Sequence, residues 1–118
     1  MAFKFENLKV WQLSLEMTGE INLLAQSFPK HELYSLTSQM RRAANSVSLN
    51  IVEGSTGLTN KEFKRFLVIA NRSTLEVAGC LYLGKRRIYL SDEQFSNLYN
   101  RIETLVKMIQ ALINSLKD

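Results

Sequence analysis

The chain has 118 residues, 46% of them apolar, with one proline and five glycines, which fits one compact domain of ordinary size. Fifteen Lys and Arg against eleven Asp and Glu leave a net charge of +4, enough to allow an acidic partner such as nucleic acid without requiring one. A lone cysteine, Cys80, excludes an internal disulfide. The charged opening MAFKFENLKVW has no signal-peptide core, and runs such as FLVIA fall far short of the roughly 18 apolar residues of a spanning helix, so a cytoplasmic chain with no membrane partner is expected.

In chain order, Val10, Leu13, Met17, Ile21, Leu24 and Phe28 recur at helical spacing, and Pro29 cannot continue the helix because it lacks an N–H and clashes backwards. Leu36, Met40, Ala43, Ala44, Val47 and Ile51 give a second stripe, ended by EGSTGLT, where Gly54 and Gly57 allow positive φ. Thr59 and Glu62 have the spacing of a capping box, so a third helix should begin near Asn60, run through Phe63, Leu67, Ala70, Thr74, Val77 and Leu81, and stop around Gly84. Ser91 and Gln94 repeat that spacing ahead of Phe95, Leu98, Ile102, Leu105, Ile109, Leu112 and Leu116, which alternate steps of three and four without a miss. Short connections make consecutive helices antiparallel neighbours. The expected fold is therefore all-α, an up-down-up-down four-helix bundle formed as a single domain over residues 1–118.

At about 100° per residue, Gln39, Arg42, Ser46, Asn50 and Glu53 fall on one strip beside the apolar face of the second helix. The third helix carries a matching border of Glu62, Ile69, Ser73, Glu76, Cys80 and Leu83, and folding about residue 57 brings Arg42 near Glu76. These residues are expected to form a structural polar network fixing helix register, with Arg42 and Glu76 paired, because a half-buried arginine without an acceptor is costly. Two further apolar rows, Leu8, Trp11 and Leu15 in the first helix and Tyr99, Val106 and Ile113 in the fourth, lie beside the main seams and are candidates for an oligomer interface.

The segments FENLKVWQLSLEM, FPKHELYSLTSQMRRAANSVSLNIVEG and NKEFKRFLVIANRSTLEVAGCL resemble the bacterial four-helix-bundle proteins encoded within intervening sequences of 23S rRNA genes, often labelled ribosomal proteins. The most specific part is LTSQMRRAANSVSLNIVEG, with Gln39, Arg41, Arg42, Ala43, Asn50, Glu53 and Gly54 at the family's positions, together with Val10, Trp11 and Gln12. Asn71 and Arg72, where relatives carry a glycine before Ser73, and Val52, where alanine is common, depart from the pattern. The resemblance implies an antiparallel bundle assembled into a ring, favouring a homopentamer. It is similar to the accessory protein of diversity-generating retroelements, which implies RNA or DNA and a reverse transcriptase as partners.

The residues give little support to catalysis. His31 is the only histidine, and HELYS places Ser35 where a zinc-protease helix needs its second histidine, so no metal is expected. Cys80 lies mid-helix among apolar residues as a buried, inert thiol, and GSTGLTNK lacks the spacing of a phosphate-binding loop, so no cofactor is expected. Asp92 and Glu93 sit where carboxylates complement a helix dipole. Nucleic-acid contact has more support: Lys61, Arg65 and Arg72 share one outward side of the third helix, Lys64 lies alongside, and Lys85, Arg86 and Arg87 cluster at its far end. Such a ridge would neutralise phosphates without a sequence code. The alternative is a scaffold that binds a protein through its apolar faces.

Overall fold

A computed structural model describes residues 2–117. Among them, four α-helices, α1 (Lys9–Gln26), α2 (Leu36–Ser55), α3 (Asn60–Arg86) and α4 (Asp92–Ser115), form an all-α antiparallel bundle measuring 44 × 23 × 22 Å. Short 3-10 turns at Lys4–Asn7 and Lys30–Glu32 were not signalled by any periodicity. The core is the predicted seams brought together: Met17 and Ile21 of α1, Met40, Val47 and Ile51 of α2, Leu67, Val77 and Leu81 of α3, and Leu105 and Ile109 of α4 are all at most 2% exposed.

The termini show why the helices start and stop where they do. Ser91 Oγ accepts from Gln94 N (3.0 Å) while the Gln94 side chain accepts from Ser91 N (2.8 Å), so the capping box of α4 is complete. At α3 only half of the expected box forms, with Thr59 Oγ1 accepting from Glu62 N at 3.1 Å. That helix also outruns its expected stop at Gly84. Ile88 N donates to Lys85 O (3.0 Å) and Tyr89 N to Gly84 O (2.9 Å), a Schellman ending whose left-handed residue is Ile88, at φ 64°.

Gly54 also differs from expectation, since neither it nor Gly57 has positive φ. A Cβ on Gly54 would stand 2.7 Å from Phe66 Cβ and 3.0 Å from Phe63 Cδ1. The glycine is there to let α2 and α3 approach closely. Beyond that contact, buried hydroxyls pin α1 to α2. Ser14 Oγ donates to Trp11 O (2.7 Å) and so accepts from Ser48 Oγ at 2.9 Å.

Among the described residues α3 is long and apolar enough, by length and composition alone, to cross a bilayer, contrary to the expectation from its short uninterrupted runs. A window average tolerates a few charges that break a run. In the bundle this helix lies between α2 and α4 with Phe63, Leu67, Ala70, Thr74, Val77 and Leu81 buried.

Candidate functional site

The predicted polar strip lines one groove of about 670 Å³ between α2 and α3, bringing together Gln39, Arg42, Ser46, Asn50, Glu53, Ser73 and Glu76. Only its centre is bonded. Ser46 and Ser73 hydroxyls meet at 2.9 Å, and Asn50 Nδ2 donates to Ser46 O (2.8 Å) and Oγ (3.0 Å). The expected pair of Arg42 and Glu76 does not form. Both side chains are exposed, and in water such a pair gains too little to offset the freedom it would give up. The partly buried arginine is its neighbour Arg41, whose enclosed Nε has no hydrogen-bond partner among the described residues. The groove therefore offers register-fixing contacts at its middle and a polar rim, with no nucleophile set against a base.

The two apolar rows are largely absorbed by the fold. Leu8, Trp11, Tyr99, Val106 and Ile113 pack on the protein's own core, Trp11 edge-on to Phe5 at 4.8 Å and Tyr99 stacked with Phe95 at 5.8 Å. These five are half-buried, and Leu15, 51% exposed, is the most open of the two rows. In a four-helix bundle the core-facing arc of each helix is wide enough to reach residues that look peripheral on a wheel.

The seven candidate cations divide by environment. Arg87 Nη1 donates to Glu32 Oε2 at 2.9 Å, and Lys85 sits 4.4 Å over the Phe95 ring and 3.6 Å from Asp92. Lys64, half-buried, flanks the helix. Lys61, Arg65, Arg72 and Arg86 are exposed, and among the described residues none of them is paired with a carboxylate; Arg65 rests 4.7 Å over the Phe66 ring. On the wheel these four share the outward stripe of α3 with Val68, Leu75, Gly79, Tyr82 and Leu83, and the exposed Glu76 borders it one turn after Arg72.

A cluster that no spacing signalled closes the end of the bundle where the α1–α2 and α3–α4 connections meet. Glu32, 7% exposed, accepts from Ser35 Oγ (2.7 Å), Tyr89 Oη (2.8 Å) and Arg87. Hydrogen bonds from Ser35 and Tyr89, with the Arg87 guanidinium beside them, hold its carboxyl down at about 2. The same bond to Glu32 pushes the Tyr89 phenol up. His31 Nε2 lies 3.2 Å from Tyr89 Oη. Arg87 and Tyr89 flank Ile88, so the clasp on Glu32 fixes both neighbours of the left-handed residue and supports that strained turn. By spacing HELYS is an incomplete zinc motif; in the fold its glutamate and serine are the centre of this clasp. Among the described residues no group of three potential metal ligands converges. Cys80 is buried, and burial, then the Glu76 charge, pushes its thiol up, away from nucleophilic chemistry.

The family model described as 23S rRNA-intervening sequence protein matches residues 6–111. A solved structure of a protein with unknown function from the S23 ribosomal protein family of Bacteroides thetaiotaomicron is similar at a TM-score of 0.83. The match covers 90% of this chain and 99% of that one at 24% identity, and it bears on the fold alone. No curated protein matches the chain.

Proposed function

Since the chain belongs to the 23S rRNA-intervening sequence protein family, we propose that it is a non-enzymatic, homo-oligomeric bundle protein that holds the phosphate backbone of RNA or DNA on the outward stripe of α3. The observation that carries this reading is the set of exposed cations at Lys61, Arg65, Arg72 and Arg86 on one helix face, none of them paired with a carboxylate among the described residues. Exposed cations release counterions when they meet phosphates, so affinity should be sequence-tolerant and fall steeply with salt. A ring of copies, a homopentamer as the resemblance suggests, multiplies that field. The lone buried thiol of Cys80 accords with a cytoplasmic setting.

Retention of a labelled RNA or DNA oligonucleotide, measured against salt beside light scattering of the same sample, tests the reading. A steep negative slope and an oligomeric mass are expected. Absence of binding at low salt overturns it.

Leu15, exposed beside Trp11 on α1 and away from the basic stripe, favours a second reading in which an apolar face docks a protein such as a reverse transcriptase. Charge reversal at Lys61, Arg65 and Arg86 separates the two. It abolishes nucleic-acid retention under the first and leaves partner capture intact under the second.

A further inference from the structure

We propose that the strand held on α3 is single-stranded, with a base stacked on Tyr82 over the bare backbone at Gly79; this rests on the nucleic-acid reading above. Tyr82 is 55% exposed, yet its ring is pinned, edge-on to Phe95 at 4.9 Å and to Tyr99 at 6.4 Å. Phe95 is itself backed by Tyr99 and covered by the Lys85 ammonium. An aromatic side chain immobilised in this way has already lost the rotamer freedom that a ligand would otherwise have to remove.

Gly79 is the second observation. It lies within α3, where glycine weakens a helix relative to alanine, and a Cβ built on it meets nothing within 4 Å. No contact inside the fold requires a glycine here. Residues three apart are neighbours on a helix surface, so the missing side chain clears the ground beside the Tyr82 ring. A flat base needs that clearance to reach stacking distance. A duplex keeps its base faces inside its own stack and would meet only the cations.

Charge completes the arrangement. Arg86 follows Tyr82 by one turn and Arg72 precedes it on the same stripe, both exposed and free of carboxylate partners among the described residues. Lys61 to Arg86 spans about 38 Å of helix, a track for backbone phosphates on either side of the stacked base.

The test compares a labelled oligouridylate with a blunt RNA duplex of equal length on the intact protein and three variants. The single strand should bind about tenfold more tightly than the duplex, in line with one stacked base. Tyr82→Ala should remove that advantage, Tyr82→Phe should keep it, and Gly79→Gln should lose it while raising the melting temperature. Equal binding of strand and duplex, unmoved by Tyr82→Ala, overturns this inference and leaves the backbone reading standing; no binding of either overturns both. If Gly79→Gln splits the oligomer while strand affinity holds, the bare patch belongs to a second copy and the inference falls.

Discussion

The two faces of α3 are built from one helix by opposite rules. The inner face places Phe63, Leu67, Ala70, Val77 and Leu81 in the core, and even its hydroxyl is satisfied, with Thr74 Oγ1 donating to Ala70 O at 2.9 Å. The outer face leaves four cations unpaired with any carboxylate among the described residues, apolar Val68 and Leu75 in water, and a glycine that no contact inside the fold requires. Internal packing determines the first face completely and the second hardly at all, so the residues on the second are where selection for a partner can be read.

Truncating one leucine on each face of α3 should give the largest contrast in stability. Leu67→Ala, fully buried, should cost about 2–5 kcal/mol in chemical denaturation. Leu75→Ala, 58% exposed, should stay within about 0.5 kcal/mol; a larger loss would mean that the outer face is packed after all. Gly54→Ala, which drives a methyl against Phe66 and Phe63 of α3, should cost about 1–3 kcal/mol by overpacking.

The turn that ends α3 extends the comparison to charge. Glu32 sits at about 2 in the folded protein, below its ordinary value of 4.5, so the clasp contributes stability above pH 4.5 that is lost as pH falls toward 2. Thermal melts across that window should show the loss, and Glu32→Gln should flatten it. Ile88→Gly should raise stability by roughly 1 kcal/mol, relieving a left-handed β-branched residue against the extra freedom of glycine in the unfolded chain. The smallest effect on stability belongs to Arg72→Ala, within about 0.5 kcal/mol, although it should reduce the salt slope of single-strand binding by about 0.7.

Local patterns carried the fold well. The unbroken seam of α4 and the Ser91 and Gln94 cap were both legible because each depends on spacings of three and four residues. The polar strip was legible as a strip, since Gln39 to Glu53 does share a groove with Ser73 and Glu76. Its bonding was not, because exposure decides whether Arg42 needs a partner and a wheel does not report exposure. Arg87 looked like part of a basic cluster until Glu32, 55 residues away, was found against it. No periodic signal connects those two positions. Gly54 was read as a conformational glycine, whereas its cause is a pair of phenylalanines on the next helix.

The order in which the helices touch also bears on how quickly the bundle assembles. α1 lies on α2, α2 on α3 and α3 on α4, and the remaining junction between first and last is drawn together by Arg101, which reaches Glu16 at 3.6 Å and Glu20 at 3.1 Å. Most native neighbours are thus close along the chain, so the chain should collapse on the microsecond-to-millisecond timescale of low-contact-order proteins. A slower phase whose rate rises with concentration would be the kinetic mark of the proposed oligomer.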